Sequence, residues 1–176
     1  MLAKDISGLV VDIEKYFKSL NAFSATFIQQ NSNELQEGYF YKNDQRIRIE
    51  YQNPSKILII FDQKKAMIYN KDLEEVEYFN PKKTMGNLIF DIFYNSFIKK
   101  FKKHEIEENL ARFYIDFKDD DEEYNIEVVF ELNPLQIRLV NIVTEEEVIS
   151  FGLRDHNFNN SFDKKFFSMA NPLLKN

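Results

Sequence analysis

The chain has 176 residues, a formal net charge of -6 and no cysteine. This length fits one domain, expected to span residues 1–176, whose folding buries roughly 70% of the surface that the unfolded chain exposes. The negative charge argues against nucleic acid as a partner, because proteins that follow phosphate backbones carry a basic face. The lack of cysteine excludes disulfides, zinc–thiolate sites and thiol nucleophiles.

The sequence contains no membrane-spanning pattern. No apolar run approaches the roughly 20 residues that cross a bilayer. The first residues, MLAKDISG, do not combine a charged region with a long apolar region, as a secretory signal does. We therefore expect a soluble chain from which an export signal has been removed.

The first predicted element is an amphipathic helix over about residues 2–20. Its apolar residues recur every three or four positions, the spacing of one helical face. These residues are Leu2, Ile6, Leu9, Val10, Ile13, Phe17 and Leu20.

Six strand patterns follow in close succession. They are separated by short runs of turn-forming residues at 31–33, 52–55 and 70–72. Such short connections favour an antiparallel meander. The predicted strands are Phe23–Gln29, Leu35–Tyr41, Arg46–Tyr51, Ile57–Phe61, Lys65–Asn70 and Glu75–Phe79.

The third and fourth of these strands have different patterns. The third alternates charged residues with Ile47, Ile49 and Tyr51, which indicates one buried face. The fourth is apolar on both faces, so a helix or the curvature of a barrel must cover its second face. Because the loop 52–55 has an even number of residues, we predict that Leu58 and Ile60 share the inner face with Ile49 and Tyr51.

A second helical pattern covers about residues 84–101 and ends in a basic segment. We read the basic residues from Lys99 to His104 as favourable charge at a helix C-terminus. The alternative is a docking patch for an acidic partner or anionic headgroups. The apolar face of this helix comprises Leu88, Ile89, Ile92, Phe93, Phe97 and Phe101.

Four more strand patterns complete the chain. They are Ala111–Phe117, Asn125–Leu132, Gln136–Val143 and Glu147–Arg154. We predict a mainly β fold with helices, in the α+β class, built on one antiparallel sheet. A sheet of this many strands must curl or split, so we expect it to be strongly curved.

No motif for metal binding or catalysis stands out. The acidic run Lys118–Tyr124 lacks the glycine and terminal glutamate of a calcium loop, which favours a solvated hairpin turn. His104 and His156 have no HExxH context, and no serine lies in a G-x-S-x-G motif. We expect no metal, no cofactor, no catalytic residue and no enzymatic activity.

Several short motifs occur in an order typical of a known family. FSATFIQQ has the pattern F-x-A-x-F-x-Q, and it is followed by Gly38 to Phe40, by Arg48, Tyr51 and Pro54, and by IYNKD. The segment LRDHNFNNSFDKKFFSM is similar to a terminal segment that ends in a Phe-containing strand. Together these motifs resemble the LolA family of periplasmic lipoprotein carriers over nearly the whole chain.

The resemblance implies an incomplete, strongly curved antiparallel β-barrel that encloses an apolar cavity covered by a helical lid. It implies a monomeric periplasmic carrier that binds the acyl chains of lipoproteins released by an inner-membrane ABC transporter and delivers them to an outer-membrane receptor. The residues predicted to contact lipid are Ile47, Ile49, Tyr51, Leu58, Ile60, Leu88, Ile92 and Phe93.

One position departs from the family pattern. Family members carry Arg-Pro between the second and third strands, where the Arg helps to hold the lid shut, but this chain has Asn43 and Asp44. We expect that another contact closes the lid or that closure is weaker.

Two alternatives share the fold. One is the outer-membrane receptor, which is anchored through an N-terminal Cys and inserts an apolar loop into the membrane. The polar loops at 52–55 and 70–72 argue against it. The other is an envelope-stress module that senses lipoproteins and is usually fused to a second domain.

Overall fold

The computed structural model of the chain describes residues 5–94, 97–119 and 122–174. Over these residues the chain forms two α-helices and an open, 11-stranded antiparallel sheet, which confirms the α+β prediction. The elements are α1 (Ile6–Ser19), β1 (Phe23–Gln30), β2 (Leu35–Lys42), β3 (Ile47–Asn53), β4 (Ile57–Phe61), β5 (Ala66–Asn70), β6 (Glu75–Phe79), α2 (Met85–Tyr94), β7 (Lys103–Glu107), β8 (Leu110–Asp119), β9 (Glu122–Leu132), β10 (Leu135–Val143) and β11 (Val148–Asn157). Short 3-10 turns occupy Pro81–Lys83, Phe97–Lys100 and Pro172–Leu174.

The strand order brings the two halves of the chain together at the centre of the sheet. The strands from β1 to β6 run outward to one edge. The chain then crosses through α2 to the opposite edge, β7, and returns strand by strand to β11, which pairs with β1. The segment that carries α2 therefore connects the two edges of the open sheet.

Helix α1 forms where its apolar spacing predicts it, and it packs on the sheet. The Asp5 carboxylate accepts the Ser7 N–H at 3.2 Å and so begins the helix. Leu9 and Ile13 are fully buried, and the Tyr16 hydroxyl accepts the Ile137 N–H of β10 at 3.2 Å. Positions 2–4 of the predicted helix lie outside the described residues.

The second helix is shorter than predicted. Regular helix ends at Tyr94, residues 95–96 lie outside the described part of the chain, and Phe97–Lys100 form a 3-10 turn. The basic segment does not end α2: Lys99 and Lys100 lie in the last turn of the 3-10 helix, and Lys103 and His104 belong to β7. Every side chain of β7 is exposed, and charged residues suit such an edge strand because they oppose pairing with another sheet.

The register of β3 and β4 contradicts one prediction. Ile49 pairs with Ile59, whereas Leu58 pairs with Glu50 and Ile60 pairs with Arg48. Leu58 and Ile60 therefore face away from Ile49. The predicted loop, 52–55, omitted Lys56, and a change of one residue in a connection inverts the facing of the strand that follows.

The second apolar face of β4 is covered by the end of the chain, residues 158–174, here named the C-terminal strap. Leu58 and Ile60 pack with Met67 of β5 and Met169 of the strap in an apolar cluster that is separate from the main core. The Tyr78 hydroxyl of β6 donates to the main-chain oxygen of Met169 at 3.0 Å. The cover is thus the strap, not a helix.

Two arginines of β3 and its preceding turn fasten the strap. Arg46 donates to the main-chain oxygen of Phe167 at 2.8 Å, and Arg48 donates to that of Phe166 at 2.5 Å. Arg48 also lies over the Phe166 ring, 4.2 Å from its centroid. The described residues of the strap form no strand, so the predicted Phe-containing final strand is wrong.

Strand β2 lies unusually close to β3 at Gly38. The strand register shifts between Glu37 and Gly38. A Cβ atom at position 38 would lie 1.9 Å from the main-chain oxygen of Glu50, so this crossing requires glycine.

Candidate functional site

An apolar cavity lies between α2 and the sheet. Its volume is about 40 Å³, and every side chain that lines it is apolar. Five strands and the helix contribute to the lining, which places the cavity on the concave, inner face. The lining residues are Phe27, Phe40, Ile49, Ile89, Ile92, Phe93, Val140, Ile142, Phe151 and Leu153.

The helix nearly fills this space. The Phe93 ring of α2 lies 4.8 Å from the Phe40 ring of β2 and 5.7 Å from the Phe17 ring of α1, centroid to centroid. Pockets that hold small molecules measure about 300–1,000 Å³. A cavity of about 40 Å³ has no room for an acyl chain, so α2 must move before one can enter.

The structure brings together only some of the predicted contact residues. Ile49, Ile92 and Phe93 line the cavity. Ile47 and Leu88 are buried in the surrounding core. Leu58 and Ile60 lie on the outer face, beneath the strap.

Tyr51 stands beside the cavity and supports its wall. Its ring meets the Phe27 ring edge-on at 5.1 Å, and its hydroxyl donates to Gln29 Oε1 at 2.7 Å. Burial raises the pKa of Tyr51 to about 12, so this hydroxyl stays a neutral donor.

Much of the lining was missed at the level of the sequence. Phe27 lies in an alternating pattern with Phe23 and Ala25, whose side chains are buried along β1. That alternation could have identified Phe27 as an inner residue. The residues on β10 and β11 were missed because only the sheet topology places the end of the chain beside β1.

The end of α2 is fastened to the hairpin between β2 and β3. The Tyr94 hydroxyl lies 2.8 Å from the main-chain oxygen of Asn43 and 3.0 Å from that of Arg46, and it donates to this pair of acceptors. Burial, together with the charge of Asp44, raises the pKa of Tyr94 well above its usual value. We name this contact the Tyr94 latch. It joins α2 to the hairpin that carries Asn43 and Asp44. That this contact closes the lid stays a prediction.

Lys42 lies directly beneath the Tyr94 latch. Among the residues that the structure describes, Lys42 is the one charged residue that is buried, with 2% of its surface exposed. Its ammonium group donates to the main-chain oxygens of Leu20 at 2.9 Å and Asn43 at 3.1 Å, and it lies 4.1 Å from the Tyr94 ring centroid. Burial lowers the pKa of Lys42 to about 8, against the opposing effect of the Asp44 carboxylate.

The chain matches the sequence profile of a known protein family. The profile described as "Outer membrane lipoprotein carrier protein LolA" matches residues 18–170. The chain belongs to the LolA family. The match contains α2, all eleven strands and most of the strap. No curated protein matches the chain significantly in sequence.

Solved structures share the LolA-like fold at low sequence identity. An uncharacterized conserved protein from Thermus thermophilus is 11% identical, with a TM-score of 0.59 over 90% of each chain. A chain of the Pseudomonas aeruginosa MucA/MucB complex is 9% identical, with a TM-score of 0.54 over 93% of this chain and 61% of that chain. A DUF1329 family protein from Desulfovibrio piger is 6% identical, with a TM-score of 0.54 over 92% of this chain and 95% of that chain.

Two absences among the described residues bear on the site. None of their helices combines the length and the apolarity needed to cross a bilayer. Within the same residues, His, Cys, Asp and Glu side chains nowhere gather in threes that could hold a metal ion.

Proposed function

We propose that this LolA-family protein is a periplasmic carrier for the acyl chains of lipoproteins. It takes them from an inner-membrane lipoprotein-releasing ABC transporter and delivers them to an outer-membrane receptor or equivalent acceptor. The observation that supports this most directly is the wholly apolar cavity closed by α2. The Tyr94 latch supports it further, because release of one local contact can open the lid without unfolding the sheet.

Energetics favour such a gated cavity over a rigid pocket. Burial of each methylene group is worth roughly 0.8 kcal/mol, so several long acyl chains would gain several tens of kcal/mol in a rigid apolar site. Non-covalent affinities reach a ceiling near 20 kcal/mol, and a carrier must also release its cargo. Opening the lid breaks the contacts of Ile92 and Phe93 with the sheet. The free energy lost in this step lowers the net affinity for cargo.

The lining residues are the proposed contacts with lipid. Ile49 on β3 and Ile92 and Phe93 on α2 remain from the predicted set, joined by the lining residues of β1, β2, β10 and β11. Ile47 and Leu88 support the cavity from the core behind it. Leu58 and Ile60 have no part in it, because they face the strap.

The test uses proteoliposomes that contain the transporter and a triacylated lipoprotein. With ATP and this protein present, we expect lipoprotein to appear in the soluble fraction as a complex. A cargo variant without acyl chains is the control and should form no complex. If acylated cargo stays in the membrane, the proposal is wrong. Cargo that binds but never passes to outer membranes would instead favour a static lipid-sensing module.

One observation favours the alternative of an outer-membrane receptor. Leu73, in the turn between β5 and β6, exposes 64% of its surface, and such a residue can insert into a bilayer. The turn predicted from the sequence comprised only the polar positions 70–72. Leu73→Glu should leave cargo uptake from the transporter unchanged in a carrier. A receptor would behave differently. Neither the parent protein nor Leu73→Glu would take cargo from the transporter, and Leu73→Glu would lose the delivery of cargo into membranes.

A further inference from the structure

A second cavity, of about 200 Å³, lies beside the lid between α1, the β2–β3 hairpin and α2. We name it the polar vestibule. Ile92 and Phe93 line both this vestibule and the apolar cavity. These two lid side chains therefore separate a polar compartment from an apolar one, and their movement would join the two.

Lys42 forms part of the vestibule wall and has no carboxylate partner at ion-pair distance among the described residues. Its partners are two neutral carbonyl oxygens and the Tyr94 ring. A buried charge normally requires a counterion, and neutral partners compensate it only in part. The lowered pKa of Lys42 agrees with this incomplete compensation.

The acidic residues of the vestibule do not supply the missing counterion. Glu14 is engaged by Lys99, whose ammonium lies 3.0 Å from a Glu14 carboxylate oxygen. Asp44 is exposed and forms no ion pair with Lys42, and its charge opposes the effect of burial on the Lys42 pKa without cancelling it. Lys18 adds a second, exposed cation to the vestibule wall.

We propose that the vestibule is a headgroup site for an anionic amphiphile, with a phosphate or a carboxylate bound by Lys42. When the lid opens, Tyr94 withdraws from the Lys42 ammonium, and a ligand oxygen takes its place. The acyl chain of the same ligand passes Ile92 and Phe93 into the apolar cavity. This inference rests on the proposed function, since it requires that the apolar cavity accepts acyl chains.

The test compares three probes with the same acyl chain, each below its critical micelle concentration. They are 1-palmitoyl-lysophosphatidylglycerol, palmitate and the neutral 1-monopalmitoylglycerol. We expect at least one anionic probe to bind about tenfold more tightly than the neutral probe, as for a hydrogen bond to a charged group. Preference for the phosphate or for the carboxylate identifies which anion the site accepts.

Lys42→Met should abolish this preference, so that the anionic probes and monopalmitoylglycerol bind the variant with equal affinity. Lys15→Met, which removes an exposed cation from α1 outside the vestibule, should keep the preference. A variant that loses thermal stability but retains the tenfold preference would show that Lys42 only caps the end of α1, and the inference would be overturned. If no acyl probe binds at all, the proposed function itself falls.

A measurement on the unmodified protein covers the case in which Lys42→Met does not fold. The NMR signal of the Lys42 side-chain Cε should shift on addition of the preferred anionic probe and change less with monopalmitoylglycerol. Equal shifts with both probes would contradict a headgroup contact at Lys42.

Discussion

The hydroxyl oxygen of Tyr94 lies 2.8 Å from the main-chain oxygen of Asn43. This contact joins the last described residue of α2 to the turn between β2 and β3. A side chain of the lid thus binds the backbone of the hairpin. The latch uses the Asn43 backbone, while the Asn43 side chain serves the turn itself, where its Oδ1 accepts the Gln45 and Arg46 N–H groups.

Removal of the latch hydroxyl should favour the open lid. Tyr94→Phe deletes a hydrogen bond worth about 1 kcal/mol, which corresponds to roughly a fivefold shift toward opening. Amide exchange across residues 87–94 should accelerate by a similar factor, and lipoprotein should bind more tightly because less free energy is spent on opening. Tyr39→Phe, on an exposed ring of β2, is the matched control. Unchanged exchange in Tyr94→Phe would mean that the latch does not hold the lid.

A charge in the cavity should prevent cargo binding. Ile49→Glu places a carboxylate where every neighbouring side chain is apolar, which costs several kcal/mol unless the group is neutralised. We expect a lower melting temperature and no soluble complex with acylated lipoprotein. Ile106→Glu makes the same change on the exposed edge strand β7 and should behave like the parent protein. Equal cargo binding by both variants would place the lipid elsewhere.

The strap should contribute stability without affecting lipid. Met169 is buried against Leu58 and Ile60 on the outer face, so Met169→Ala should lower the free energy of unfolding by about 2 kcal/mol. Denaturant titration measures this loss. Leu174→Ala, at a side chain that is 78% exposed, should change it by less than about 0.5 kcal/mol. Altered cargo affinity in Met169→Ala would show that the two apolar faces are coupled.

The sequence predicts those features of the fold that depend on residues close together in the chain. The strand pattern at Arg46–Tyr51 and the helical face at Leu88, Ile92 and Phe93 arise from local periodicity. A strand and a helix form at these places, although the helix is shorter than predicted. The facing of Leu58 and Ile60 depends on a single residue in a turn, which periodicity does not determine.

The parts that could not be predicted depend on contacts between distant segments. The cover of β4 comes from Met169, more than a hundred positions along the chain, and the strap is held by arginines that bind main-chain oxygens. Such contacts leave no periodic pattern in the sequence. The polar vestibule was likewise missed, because Lys42 occupies a strand end where a lysine normally reaches solvent.

Gly38 and Gly8 should respond oppositely to alanine. At Gly38 the added Cβ would meet the main-chain oxygen of Glu50 at 1.9 Å, so β2 and β3 must separate, and we expect a loss of about 3 kcal/mol or more. At Gly8, within α1, nothing lies within 4 Å, and alanine should stabilise the helix by about 0.5–1 kcal/mol. Denaturant titration of both variants measures the contrast. A mild effect of Gly38→Ala would mean that the close strand crossing relaxes easily.

His156 should make the protein less stable in mild acid. Its ring packs against Phe23 at 5.3 Å and Phe158 at 6.1 Å. Burial, aided by the charge of Arg138, lowers the pKa of His156 from 6.5 to about 4. Between these values the unfolded chain binds a proton that the folded chain does not, so stability falls as the pH falls from about 6.5 toward 4.

The size of this effect can be isolated by comparing two proteins across the same pH range. His156→Phe keeps an aromatic ring beside Phe23 and removes the titration. Between pH 7 and pH 4 its free energy of unfolding should therefore fall by less than that of the parent protein, by about 2 kcal/mol after allowance for solvent screening of the half-buried ring. Carboxylates remote from position 156 contribute equally to both proteins and cancel in the difference. Chemical denaturation at half-unit pH steps gives the two curves. Parallel curves would show that His156 takes up its proton as readily in the folded protein as in the unfolded chain.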